Sequence, residues 1–217
     1  MSIKVKQESL FSDVIRDRHS VRKYDPNWKL SKDELNEILK EATLAPSGAN
    51  VQPWRFLVID DQAKKEILLP IAFNQEQVVQ ASAIIAVLGD SQAIEKVEQI
   101  YSAAVEAGYM TEEAKSQMIK NINGYYSDPH SDIVKRSLLI DGGLVSMQIM
   151  LSAKARGYDT VPMAGYSEPE FRKAFCISDR YATVMLIAIG KAAQPAHPTV
   201  RLPLDEVTFW NTMPEQI

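Results

Sequence analysis

The sequence predicts a mixed α/β fold, with at least three strands and six or more helices in 217 residues. Two observations carry that reading. Three apolar runs, inside 55–60, 81–89 and 181–190, are short, rich in Val and Ile, and bounded by polar or turn residues, as strands are. Between them apolar residues recur at helical spacing, several times behind a recognisable start signal.

In chain order, residues 9–18 form a helix pattern through Leu10, Phe11, Val14 and Ile15, which Tyr24-Asp25-Pro26 cuts off, since proline disfavours a helical residue before it. Ser31 with Glu34 is a capping box opening a second helix on Leu35, Ile38, Leu39 and Ala42, stopped at Pro46. A turn-rich, uncharged stretch, 46–54, leads into the first strand. Residues 62–71 are a short helix, and 81–89 is a strand buried on both faces. Residues 91–106 and 111–122 are two helical patterns in a polar excursion from the sheet, about 91–131. It reads as a lid over a site or as a solvated helical pair, and Tyr101, Tyr109, Tyr125 and Tyr126 as substrate-stacking or lid-packing residues. The longest pattern, 133–156, spans roughly 36 Å. One face carries Ile133, Ser137, Ile140, Leu144, Met147, Leu151 and Ala155, widened by Val134, Leu138 and Val145. A helix apolar nearly all round belongs in a core or at a dimer interface, and Gly142-Gly143 in its middle implies close approach by another helix. Gly157 ends it, 160–163 is brief strand or extended loop, Ser167 with Glu170 is a second capping box, and 181–190 is the third buried strand. A proline-containing arm, about 191–217, wraps the body or a partner. All of 1–217 reads as one domain.

The chain is 46% hydrophobic and 24% charged with net charge −4, which gives no general affinity for nucleic acid, so any anion site must be local. Residues 1–8 lack the apolar core of a signal peptide. No apolar run approaches the ~20 residues that cross a bilayer, so no membrane partner is expected. One cysteine, Cys176, fits a reducing cytoplasm and, between Phe175 and Ile177, reads as inert packing. His19, His130 and His197 make no metal-ligand spacing, and the last two lie in loops. There is no Gly-rich nucleotide fingerprint and no nucleophile elbow. If the chain is an enzyme, a cofactor carries the chemistry.

Two stretches could hold one. Arg18-His19-Ser20-Val21-Arg22 concentrates guanidinium groups and a hydroxyl, the donors that phosphate requires, or else is a solvated basic end to the first helix. Pro46-Ser47-Gly48-Ala49-Asn50-Val51-Gln52-Pro53-Trp54 offers neutral donors and acceptors to a flat ring, or is simply a turn.

With Phe73-Asn74, Gly157-Tyr158-Asp159-Thr160, Pro162-Met163-Ala164-Gly165, Gly190-Lys191 and Arg201-Leu202-Pro203-Leu204, these stretches resemble the flavin-dependent nitroreductase family in order and separation. The resemblance implies an α+β fold: a central, mostly antiparallel sheet flanked by helices, a long central helix at a homodimer interface, and a C-terminal arm reaching the partner. It implies FMN as cofactor and NAD(P)H as reductant, with nitroaromatics, quinones or related flat acceptors reduced by ping-pong hydride transfer. Arg18, Ser20 and Arg201 would hold the phosphate, with His19 contributing backbone. Arg22, Asn74 and Gln77 would face the pyrimidine edge. Pro46, Ser47, Gly48 and Asn50 would come from the other subunit, and Pro162, Met163, Ala164 and Gly165 would lie over one ring face. Many relatives have a basic residue where this chain has Thr199, glutamate or glycine at Ala164, and in some a lysine at Gln77. A flavin-storage or flavin-sensing protein, or a same-fold dehalogenase or flavin-fragmenting enzyme, would use the same binding residues.

Overall fold

A computed structural model describes residues 11–214. The expected helix positions 9 and 10, the polar segment 1–8 and the last three residues of the arm lie outside that range. The helices are α1 Phe11–Asp17, α2 Lys32–Ala42, α3 Gln62–Ile71, α4 Gln77–Gln80, α5 Val97–Glu106, α6 Glu112–Tyr125, α7 Asp132–Ala155 and α8 Glu168–Ala174. The strands are β1 Trp54–Ile59, β2 Ala83–Asp90, β3 Asp159–Met163 and β4 Tyr181–Gly190.

The strands form one sheet in the order β1-β2-β4-β3, with every neighbouring pair antiparallel. β2 and β4 are its centre, and their alternating side chains build two cores. Ile84, Ala86, Leu186 and Ala188 join Val21, Tyr24, Leu68, Val78 and Phe171 on one face. Ile85, Val87, Ile187 and Ile189 join Leu35, Ile38, Val145, Ile149 and Ala153 on the other. The sheet therefore lies between α3, α4 and α8 on one side and α2 and α7 on the other. The excursion makes a third, small cluster of Val51, Val97, Tyr101 and Ile122.

Local chemistry explains the element starts. Ser31, Asp61, Thr111 and Ser131 each accept the backbone N–H three residues on, satisfying a donor the helix leaves open. At the far end of the sheet the Asp90 carboxylate, 1% exposed, accepts from Arg180 at 2.6 and 2.9 Å, Arg55 at 2.8 Å and the Gln92 amide at 3.0 Å. Burial pushes its pKa up, but the Arg180 hydrogen bonds and the other donors outweigh that and hold it below the ordinary carboxylate value.

Several expectations need correction. α2 ends at Ala42, with Thr43 as its C-cap, before Pro46 is reached. Only half of the Ser31–Glu34 box forms, because the Glu34 carboxylate takes the Tyr158 hydroxyl instead. Ser167 makes no side-chain cap at all. Gly142 does serve close approach, but to a strand: a Cβ there would lie 2.5 Å from Val184 Cγ2 on β4, whereas one at Gly143 would meet nothing within 4 Å. Cys176 is exposed rather than packed. It follows the last turn of α8 at φ 54°, where the Ile177 amide closes the helix onto Arg172 O at 2.9 Å, and that conformation turns its side chain outward. On α7 the widening positions Val134, Leu138 and Val145 are the buried ones, while Ile133, Ile140, Leu144 and Met147 are exposed. Among the described residues α7 alone is long and apolar enough to cross a bilayer. Here it lies across the sheet.

Candidate functional site

The basic stretch is fastened to the edge of the sheet. The Val21 amide donates to Thr160 O of β3 at 3.1 Å, and Ser20 pairs with Thr160 in a parallel bridge. On its other flank the Asp25 amide donates to Lys191 O and the Ala193 amide to Lys23 O, both at 2.9 Å. Tyr24 anchors the crossing between them. Its ring is buried over Gly190, where a Cβ would meet Tyr24 Cδ1 at 2.9 Å. Its hydroxyl donates to Ala188 O at 3.3 Å, and burial drives its pKa far above the usual tyrosine value. The strand-like stretch 18–25 thus lies between β3 and the root of the arm, and this sets where the cationic groups stand.

Among the described residues no carboxylate pairs with Arg18, Arg22 or Arg201. Arg22 Nη1 reaches Ser20 O at 3.4 Å, and His19 Nδ1 lies 3.1 Å from Asp17 O. Arg201, on the arm, donates to Thr199 Oγ1 at 2.9 Å and Val200 O at 2.8 Å. The Thr199 hydroxyl therefore orients Arg201. Guanidinium groups left without a carboxylate in an acidic chain are donors of the kind a phosphate requires.

Beyond the end of β3 a chain of amides joins two other sequence candidates. Gln77 Nε2 donates to Gln75 Oε1 at 2.9 Å and touches Met163 Sδ at 3.4 Å, and Gln75 Nε2 donates to Gly165 O at 2.8 Å. Met163 and Gln77 are buried, Pro162 is half-buried, and Ala164, Gly165 and Asn74 are exposed. Phe73 and Asn74 both lie in the left-handed region, at φ 54° and 57°.

The 46–50 loop stands elsewhere. It makes a single 3-10 turn, Gly48–Asn50, with Ala49, Asn50 and then Gln52 at positive φ. Ser47 Oγ accepts from the Gln52 amide at 3.0 Å. The Gly48 amide donates to both oxygens of Asp141 at 3.2 Å, and the Tyr101 hydroxyl donates to Ala49 O at 2.9 Å. Burial pushes the Asp141 pKa up, and the Gly48 amide only partly offsets it. Gly48 and Ala49 also line a cleft with Met118, Ile122, Tyr125 and Tyr126 of the excursion. Asp141 is mid-α7, whereas Lys154 borders the cleft beside His19 and Val21, about 20 Å along the helix at ~1.5 Å per residue. One chain brings 18–22, 73–77 and 162–165 to one region and leaves 46–50 in another.

Among the described residues, five of the seven non-glycine residues at positive φ fall in the two short loops at 49–52 and 73–74. Such strain persists where surroundings over-determine the backbone, typically at ligand clamps.

Residues 15–191 match the model of the Nitroreductase family. The chain belongs to the nitroreductase family. It is 48% identical over 92% of its length to the protein named "Putative NAD(P)H nitroreductase YdgI" of Bacillus subtilis (strain 168), covering 97% of that protein. It is 38% identical over 87% of its length to the "CLA biosynthesis enone reductase" of Lactiplantibacillus plantarum, covering 88% of that one. Among solved structures, a "putative nitroreductase in complex with FMN" from Exiguobacterium sibiricum 255-15 superposes with a TM-score of 0.89 at 49% identity, covering 94% of this chain and 98% of that one. The nitroreductase fold expected from the resemblance is the fold observed, with four antiparallel strands flanked by helices.

Sequence reasoning missed Gln75 and Asp141, and it singled out Tyr101 only as a stacking or lid-packing ring, without the hydroxyl that holds Ala49 O. For Asp141 a signal was present: Val134, Leu138, Asp141 and Val145 recur at buried-stripe spacing on α7, and a carboxylate in such a stripe requires a donor.

Proposed function

We propose that this nitroreductase-family chain is an FMN-dependent oxidoreductase. It uses NAD(P)H to reduce flat, electron-poor acceptors such as nitroaromatics, quinones and, as the name of the 38%-identical relative indicates, conjugated enones. The observation that carries this reading is the set of carboxylate-free guanidinium groups fastened along β3, next to the amide chain of Gln75 and Gln77 and the exposed turn at Ala164-Gly165. The donor set fits FMN: cations for a phosphate, neutral amides and backbone for a heteroaromatic edge, and no metal cluster among the described residues.

When bound, the flavin supplies hydride acceptance and donation. Arg18 and Ser20, with Arg201 brought by the arm, hold its phosphate, and His19 contributes backbone. Arg22, Asn74 and Gln77 face the pyrimidine edge, where the Arg22 charge favours the anionic reduced state. Pro162, Met163, Ala164 and Gly165 cover one ring face, leaving the other for NAD(P)H and acceptor to occupy in turn. Pro46, Ser47, Gly48 and Asn50 complete the site from a second copy of the chain, which accounts for their separation from Arg18 within one chain. The exposed apolar face of α7 is the surface on which the two copies meet.

Replacing Arg18 by Ala tests the assignment through FMN affinity, measured by quenching of flavin fluorescence. Loss of a charge-assisted hydrogen bond to phosphate weakens binding by about 10- to 100-fold. Unchanged affinity would remove Arg18 from the site.

A further inference from the structure

The 46–50 loop adopts a conformation that its own residues resist. Ala49 and Asn50 are successive non-glycine residues at φ 47° and 51°, a region that Asn tolerates but that crowds the Cβ of Ala49. The restraint comes from outside the loop. Tyr101 of α5 donates its hydroxyl to Ala49 O, and Asp141 of α7 takes the Gly48 amide on both carboxylate oxygens. Asp141 is 3% exposed and forms no ion pair among the described residues. A buried carboxylate with one neutral donor is a poor way to stabilise a helix, and an apolar side chain between Leu138 and Val145 would serve the core better. What the carboxylate does provide is a fixed acceptor aimed at one backbone amide of this loop.

We propose that Asp141 is a positioning residue of the cofactor site. Its carboxylate fixes the Gly48 amide, and with it the groups that the 46–50 loop presents to the flavin held mainly by the other subunit. This rests on the functional reading above, in which that loop completes the partner's site. Tyr101 holds the same loop from the excursion, so the excursion and α7 set the loop jointly.

The test compares Asp141→Ala, Asp141→Asn and Tyr101→Phe in the full chain, reading FMN affinity by fluorescence quenching and apoprotein Tm by circular dichroism. Asp141→Ala should weaken FMN about tenfold or more, the loss of a hydrogen bond to a charged group. Asp141→Asn keeps a carbonyl that can accept the Gly48 amide and should stay within about threefold of the parent. A merely structural role would move Tm without rescue of affinity by the amide. Parental affinity in Asp141→Ala, or equal losses in the Ala and Asn variants, would overturn the proposal. Where Asp141→Ala does not fold, Tyr101→Phe decides: weaker FMN binding supports the two-sided clamp and parental binding overturns it. A parent protein that takes up no FMN would overturn the functional reading and the clamp together. A parent that binds FMN beside an indifferent Asp141→Ala would overturn the clamp alone.

Discussion

Asp90 and Asp141 show how the same residue type is put to two ends. Asp90 has two arginines and an amide around it, and its charge is welcome. Replacing Arg180 by Ala leaves that buried charge with Arg55 and the Gln92 amide and should cost about 1–3 kcal/mol, read from urea unfolding. Because the folded-state pKa of Asp90 is depressed, its stabilisation is complete above the unfolded-state value and is lost as pH falls through the folded one. The variant Asp90→Asn should therefore lower Tm at neutral pH and flatten the fall of Tm below about pH 4. A curve parallel to the parent's would take Asp90 out of the acid response. At this scale the sequence was half legible. Arg18, Ser20 and Arg22 stood out because their charges lie together in the chain. Gln75 and Asp141 did not, because each acts on a group far away in the chain, Gln75 on Gly165 and Asp141 on Gly48; Tyr101 stood out as an aromatic of the excursion, but not its reach to Ala49.

At the scale of elements, α7 is the informative case. Both of its sides are apolar, so composition could not say which lies on the sheet. Size decides it: Gly142, Ser146 and Ala153 face inward, and Gly142 lets Val184 of β4 approach. Gly142→Ala would place a methyl 2.5 Å from Val184 Cγ2. Overpacking of that kind costs about 1–3 kcal/mol, or roughly 2–10 °C in Tm for a chain of this size, and adding Val184→Ala should recover much of it. No loss in the single variant would mean that helix and strand are looser than described. The outward face alternates steps of four and three through Ile140, Leu144 and Met147, as in a helix-pair seam. Changing Ile140 and Leu144 to Glu should give a monomer by light scattering and weaken FMN binding with it, since the 46–50 loop then has no partner to serve. A dimer that survives both charges would place the seam elsewhere. α3 and β4 were read to the residue because their patterns are uniform and their ends marked. The Ser167 cap failed because a Ser-x-x-Glu pattern states only that a cap could form, and the turn geometry decides whether it does.

At the scale of the whole molecule, one sheet with two helical layers brings the basic stretch, the amide turn and the end of β3 to one edge, and in the proposed site a second copy adds the fourth piece. The antiparallel order β1-β2-β4-β3 could not be read from periodicity, because β2 and β4, buried on both faces, look like strands of a parallel sheet. The resemblance to nitroreductases implied a mostly antiparallel sheet, and the structure supplies the strand order. The central claim is that this arrangement is a redox-active flavin site. The measurement that tests it most directly is the visible spectrum of the protein with FMN under nitrogen, before and after NADPH or NADH, and again after an anaerobic quinone. The account predicts flavin bands that bleach with the reductant and return with the quinone. Bands that persist in reductant would describe a flavin-binding protein without turnover, and a protein that retains no flavin would contradict the account at its root.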